Sequence, residues 1–274
     1  MPTIAERAER FRELHARPGT FIIPNPFDVG SARILQHLGF EALATTSSGF
    51  AFTLGRRDYG VSRDEAMAHV KALVDATDIP VSADLEKGFG DDANAVADTI
   101  RKAAEVGLAG CSIEDSTQRE SDPIYSFAHA VDRVRAAVDA ARSVGRPFTL
   151  TARAENYLHG RRDLKDTIAR LQAFQEAGAD VLYAPGLTSI DDVRTLIRAV
   201  DRPVNVLAGM QGTTFTLPEL AAAGTKRISV GGALSRIALA AVIRAGREMR
   251  EKGTFTFVNE PITSKEIVEM MIHS

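Results

Sequence analysis

The sequence predicts an α/β protein, a closed (β/α)8 barrel with an extra C-terminal helical segment, and two observations lead there. Eight short apolar runs, near residues 21–24, 42–46, 79–84, 109–114, 147–152, 180–184, 203–207 and 227–231, alternate with stretches of helical hydrophobic spacing. Apolar runs without strict alternation, divided by helices, imply parallel strands covered on the outside. A glycine also recurs just past a helical stretch and just before an apolar run, at Gly39, Gly107, Gly178 and Gly224, the position of a left-handed helix C-cap. Eight such units in 274 residues match a barrel. A doubly wound open sheet competes, but no Gly-x-Gly-x-x-Gly fingerprint follows the first run.

The elements follow in order. Residues 1–17 form a charged amphipathic helix pattern rather than a signal peptide. The second run ends in Thr45-Thr46-Ser47-Ser48-Gly49, and a helix over Asp64–Ala76 follows. The third ends in Asp84, with Glu86 two residues on; an extended backbone would project both to the same side. A helix over Asp91–Val106 leads to the fourth run, which ends in Glu114-Asp115. A helix over Phe127–Val144 leads to the fifth, which ends in Arg153-Ala154-Glu155-Asn156. After the Leu164–Ala177 helix the sixth run ends at Pro185-Gly186, the seventh carries Asn205, and Gly231-Gly232 follows the eighth. Beyond lies 254–274, with a turn-like Asn259-Glu260-Pro261 and a short amphipathic helix carrying Ile262, Ile267, Val268, Met270 and Met271. That is too apolar for a free tail. We expect one domain over 1–274, with 254–274 as its oligomerisation tail.

Composition excludes several functions. The chain is 45% hydrophobic and 25% charged, with net charge −3 and both signs interspersed, so nothing suggests a nucleic-acid or membrane surface. One cysteine, Cys111, excludes an intramolecular disulfide and fits a reducing compartment. No apolar run approaches the roughly 20 residues of a membrane span. A cytoplasmic protein with a small-molecule partner is expected.

In such a barrel, chemistry gathers at the C-terminal strand ends. Asp84, Glu86 and Glu114, with Asp58 brought in by the loop after the second strand, would repel one another unless a cation lay between them. A hard divalent ion with oxygen ligands answers this; the plain alternative is that these acids cap the following helices. Arg153 can grip a substrate carboxylate or a developing oxyanion with its planar fork, or simply pair with Glu155 or Glu114. Thr46, Ser47 and Ser48 could present amides to an anion, or serve only as barrel packing. Asn205 could bind substrate or hold a loop, and Asp58 could be a surface partner of Arg56-Arg57. Glycines at 209, 212, 231 and 232 leave room for a rival reading, a phosphate-handling loop.

These residues resemble the isocitrate lyase/phosphoenolpyruvate mutase superfamily. The resemblance rests on Asn25-Pro26-Phe27-Asp28, Thr46-Ser47-Ser48-Gly49 leading to Arg56-Arg57-Asp58, Asp84-Leu85-Glu86-Lys87-Gly88-Phe89-Gly90, Ile113-Glu114-Asp115 and Ala152-Arg153-Ala154-Glu155. It implies a barrel whose final helix is exchanged with a neighbouring subunit, in dimers or tetramers. It implies Mg²⁺ (or Mn²⁺) bound directly by Asp84, with Asp58, Glu86 and Glu114 holding its waters. The substrate would be an α-oxo acid, its carboxylate on the Ser47 and Ser48 amides and its oxo oxygen facing Arg153. The metal would stabilise an enolate as a C–C or P–C bond breaks.

Two departures bear on the reaction. Glu86 stands where the family more often has aspartate, an arm longer by one methylene. The loop over 116–125, Ser-Thr-Gln-Arg-Glu-Ser-Asp-Pro-Ile-Tyr, has neither the family's Lys-x-Cys-Gly-His lyase motif nor the mutase lysine. Splitting a hydroxylated tricarboxylate needs the missing acid or base, whereas decarboxylating an oxaloacetate-like substrate demands less. We therefore expect an Mg²⁺-dependent lyase on a short α-oxo acid. P–C chemistry of the phosphonomutase or phosphonopyruvate hydrolase type, or a silent oxo-acid-binding barrel, stands as the alternative. Arg153, Glu114 and Asp58 are expected to carry catalysis, and Thr46, Ser47, Ser48, Arg153, Glu155 and Asn205 to bind substrate; Tyr125, His159 or Glu155 could supply a proton, and Arg119 could close over a far carboxylate.

Overall fold

Each apolar run becomes a strand of one parallel sheet. The computed structural model describes residues 2–259 and 262–271. Its strands are β1 (Phe21–Ile22), β2 (Leu43–Ala44), β3 (Val81–Asp84), β4 (Gly110–Glu114), β5 (Thr149–Arg153), β6 (Val181–Tyr183), β7 (Val204–Leu207) and β8 (Arg227–Ser229). Their order is β1-β8-β7-β6-β5-β4-β3-β2. The seam between β1 and β2 is bridged by the Ala44 N–H donating to the Pro24 carbonyl at 3.1 Å. Asn25 reinforces it, its side-chain amide donating to the Thr45 carbonyl at 3.1 Å. The (β/α)8 barrel expected from the sequence is the observed fold.

The helices are α1 (Ile4–Ala16), α2 (Val29–His37), α3 (Ser47–Thr53), α4 (Arg63–Ala76), α5 (Ala93–Glu105), α6 (Phe127–Arg142), α7 (Leu164–Glu176), α8 (Ile190–Arg198), α9 (Leu217–Ala222), α10 (Ala233–Arg247) and α11 (Ser264–Met271). Local chemistry starts them where they start: Thr3 with Glu6, and Ser62 with Glu65, form reciprocal capping boxes for α1 and α4. The main core lies between the sheet and the inner faces of α4 to α8, with Leu150, Ile100, Leu171 and Phe174 fully buried. Among the described residues no helix is long and apolar enough to cross a membrane.

Register places the polar side chains. Glu114 pairs with Arg153, Arg153 with Tyr183, Tyr183 with Asn205, and Asn205 with Arg227. Laterally paired residues on parallel strands share a face of the sheet. Five successive strands therefore contribute one row of polar groups to the barrel interior.

At the opposite end α1 plugs the barrel: Ala8, Phe11 and Leu14 pack with Phe21, Ile23, Ala42 and Ala109. His15 is set edge-on between Phe11 and Phe21, with centroids at 4.7 and 5.1 Å. Its Nδ1 lies 2.8 Å from the Phe11 carbonyl, which can only accept, so Nδ1 carries the proton. Nε2 is then free to accept from Arg227 Nη1 at 3.3 Å. Burial and the neighbouring guanidinium pull the imidazole pKa down to about 3. A depressed histidine leaves the unfolded chain binding more protons below its ordinary pKa of about 6.5. The stability it contributes is thus complete above that value and lost as pH falls toward 3. His15→Asn is expected to flatten the fall in melting temperature over that window relative to wild type. Parallel melting curves for the two proteins would refute the assignment.

The C-terminal segment, expected as an oligomerisation tail, makes contacts with its own chain as well. Residues Glu260 and Pro261 of the expected turn lie outside the described residues. Helix α11 packs on α2 of its own chain, where Arg33 Nη1 donates to the Met271 carbonyl at 2.6 Å. A further apolar surface lies earlier, on α10, which buries only Ser235 and exposes Ile237, Leu239, Val242 and Ile243. An amphipathic pattern shows that a helix has an apolar face but not which neighbour that face meets.

Candidate active site

Strand β3 sets the centre. Its last residue, Asp84, is anchored by its own N–H donating to Thr45 Oγ1 at 3.0 Å. The extended backbone stops there. Glu86 has φ +52° and its N–H turns back onto Asp84 Oδ1 at 3.2 Å, so the two acids do not project from a common strand face as the sequence predicted. Packing drives the turn: Arg133 on α6 donates to the carbonyls of Lys87, Gly90 and Asp91. Gly88, at φ +83°, lies so close to α5 that a Cβ would meet Val96 Cγ2 at 3.2 Å. Glu86 ends behind Asp84, where it accepts from Gln118 Nε2 at 2.9 Å. Burial and the charge of Asp84 raise its pKa to about 8.

The remaining acids come from other strand ends. Ser47, opening α3, directs both its hydroxyl and its N–H at Asp84 Oδ2, at 3.1 and 3.4 Å. Thr46 caps that helix, and its hydroxyl lies 3.2 Å from Ser48 Oγ. Asp58 turns inward: Arg56 pairs with Glu65 at 2.8 Å instead, and burial followed by the Asp84 charge raises the Asp58 pKa. Glu114 is buried, and its Oε1 has no hydrogen-bond partner. Burial and then Glu155 hold its carboxyl well above the usual range.

Arg153 ties three of these groups together. It meets Asp84 at 2.9 Å, Glu114 at 3.3 Å and Glu155 at 2.9 Å, and it stacks over Tyr183 with 5.1 Å to the ring centroid. Burial opposes its charge, but Glu155, Asp84 and Glu114 together raise its pKa further. Glu155 itself is wholly buried with Oε2 unpartnered, and lies beneath Arg153 rather than on the cavity wall. Asp115, the neighbour of Glu114, points the other way, to Arg170 at 3.0 Å.

Asp84, Glu114, Arg153, Ser47, Ser48 and Asp58 face a cavity of about 170 Å³, small beside the roughly 300–1,000 Å³ of drug-sized sites. Asn205 reaches its lower wall, where it donates to Ser229 Oγ at 2.9 Å. The cavity also meets residues that the sequence reading missed. Tyr59 is a non-glycine at φ +62° whose ring borders the mouth; nothing in its loop sequence marks it. Tyr183, Arg227 and Ser229 were discoverable, since alternate residues of a barrel strand face inward.

A divalent cation suits this donor set. Asp58, Asp84 and Glu114 line the cavity, Arg153 is already shared among Asp84, Glu114 and Glu155, and the buried Glu114 Oε1 has no partner. Among the described residues no three acids or histidines converge as a ready-made cage.

The loop over 116–125 supplies nothing to the cavity. It folds on itself through a Ser116–Ile124 bridge. Tyr125 donates to Asp91 at 2.5 Å, Arg119 pairs with Asp91 at 3.0 Å, and His159 Nε2 lies 3.1 Å from Ser116 Oγ. The rival phosphate loop is also weakened. The Val230 and Gly231 amides already donate to Asn25 Oδ1, at 2.8 and 2.9 Å.

Comparison with known proteins agrees with this architecture. Residues 11–250 match the phosphoenolpyruvate phosphomutase family. A solved Burkholderia cenocepacia J2315 protein, provisionally described as a lyase/mutase, is 58% identical, with a TM-score of 0.95 over 97% of this chain and 95% of that one. An oxaloacetate acetylhydrolase solved with its product oxalate is 25% identical, with a TM-score of 0.88 over 99% of this chain and 95% of that one. The 2-methylisocitrate lyase of Salmonella typhimurium is 28% identical over 96% of this chain and 88% of that one.

Proposed function

We infer that this chain, which belongs to the phosphoenolpyruvate phosphomutase family, is a Mg²⁺-dependent lyase that cleaves a C–C bond in a short, β-carboxylated 2-oxo acid such as oxaloacetate. The observation that carries the reading is the small acid-rich cavity with Arg153 on its wall. Asp84 would hold Mg²⁺ (or Mn²⁺) directly, with Asp58, Glu86 and Glu114 on its waters. The ion, when bound, supplies the electrophile that polarises the oxo group. Ser47 and Ser48 would orient the adjacent carboxylate. Arg153 donates to Glu155 from Nε and to Asp84 from Nη1 and pairs with Glu114 through Nη2, and its remaining N–H groups would meet negative charge developing on the oxo oxygen.

The acetylhydrolase neighbour, whose name and bound product speak of oxaloacetate and oxalate, supports the substrate class. The thiol-free loop argues against tricarboxylates, because Cys111 is wholly buried on β4. The purified protein is expected to consume oxaloacetate only with Mg²⁺ present and to leave isocitrate and methylisocitrate untouched. Product analysis, pyruvate with carbon dioxide or oxalate with acetate, identifies the bond that breaks. Efficient cleavage of methylisocitrate would sink this reading.

The exposed face of α10 and the 254–274 segment support a homodimer or homotetramer in which this surface meets a second subunit. Ile237→Lys with Val242→Lys, and separately a chain ending at Gly253, are expected to give smaller species in light scattering. Unchanged oligomer size in both would contradict the interface.

A further inference from the structure

The floor of the same cavity is a second guanidinium that none of the chemistry above uses. Arg227 enters from β8 and spans the interior, only 5% exposed. Its Nε donates to Asn205 Oδ1 at 2.8 Å and its Nη2 to Thr151 Oγ1 at 3.1 Å, while Nη1 meets His15 Nε2 at 3.3 Å. Every one of these partners is neutral. The carboxylates that could neutralise Arg227 are already paired with Arg153. A buried charge without a counter-charge is costly, and here two N–H groups remain uncommitted. Barrel interiors are usually filled with branched apolar side chains. Here the cavity that Arg227 lines includes Ser82, Ser112 and Ser229, short polar side chains that leave room in the interior.

We propose that Arg227 is the receptor for the distal carboxylate of a dianionic substrate whose 2-oxo or 2-hydroxy acid end lies at Asp84 and Arg153. The proposal rests on the oxo-acid reading of the upper site and narrows it to dicarboxylates. A guanidinium stabilises a carboxylate that keeps its charge, so the group on Arg227 is one that the reaction retains rather than expels as carbon dioxide.

The test compares malate with lactate, 2-hydroxy acids that differ by one carboxylate, with oxalate as a probe of the upper site alone. Calorimetry with Mg²⁺ is run on the wild type and on Arg227→Met, Arg227→Gln and Arg227→Lys, each checked by thermal melting. Malate should bind wild type about tenfold or more tighter than lactate, and Met or Gln should erase that ratio with oxalate affinity held within about twofold. Lysine should keep part of the preference. An unchanged malate-to-lactate ratio in Arg227→Met, or equal loss of malate and oxalate, would overturn the proposal. So would the failure of both Met and Gln variants to fold, which makes Arg227 a strut of the barrel. If wild type binds malate in preference to lactate but shows no Mg²⁺-dependent oxalate binding, the upper-site reading fails and the Arg227 subsite stands. If wild type binds none of the three acids, both fall.

Discussion

Asp84→Ala is expected to abolish Mg²⁺ binding and to lower turnover of the 2-oxo acid by at least about a thousandfold, the scale of several kcal/mol of lost electrophilic stabilisation. The fold should survive. Asp84 is a source of repulsion for Asp58, Glu86 and Glu114 as well as a partner of Arg153. Removing it relieves three acids, and Arg153 keeps Glu114 and Glu155. The melting temperature of the metal-free variant should therefore equal or exceed that of metal-free wild type. Calorimetric titration with Mg²⁺ and steady-state kinetics decide the matter. Activity undiminished by the substitution, or by exhaustive chelation of the wild type, would end the metal assignment.

Arg153→Ala should be damaging in both catalysis and stability. Loss of one oxyanion donor costs roughly a hundredfold or more in kcat. Breaking a buried ion pair by removing one partner costs about 3–5 kcal/mol, and here Asp84, Glu114 and Glu155 lose their shared cation at once. The sign of the pH dependence follows. Stranded, desolvated carboxyls have raised pKa values, so the folded variant binds more protons than the unfolded chain above the usual carboxylate range of about 4. Stability of the variant should then fall relative to wild type as pH rises from there. Denaturant titrations from acid to neutral pH would expose the difference, and a constant offset between the two proteins would show that Arg153 does not neutralise these acids.

Much of the architecture was legible in the chain itself. Apolar runs separated by helical spacing and glycine caps are local signals, and each of the eight runs became a strand within a few residues of its predicted bounds. The strand-end acids were legible for the same reason, since Asp84 and Glu114 follow directly from where β3 and β4 stop. Other features depended on packing between distant segments. The left-handed turn at Glu86 is held by Arg133, 47 positions later in the chain, so an extended reading of Asp84-Leu85-Glu86 was reasonable locally and wrong in three dimensions. Tyr125 and Arg119 sit in the loop where a catalytic group was sought, yet Asp91 draws both outward.

What the sequence determined by itself was the list of elements and the chemical character of their ends, because propensity, hydrophobic period and capping act over a few residues. Tertiary structure alone decided which end-groups meet. Closure of the barrel aligned Glu114, Arg153, Tyr183, Asn205 and Arg227 in one lateral row, and Arg153 then took up the rim carboxylates and left Arg227 without one. Pairing among buried charges depends on distance and desolvation across strands far apart in the chain, and no local pattern encodes either.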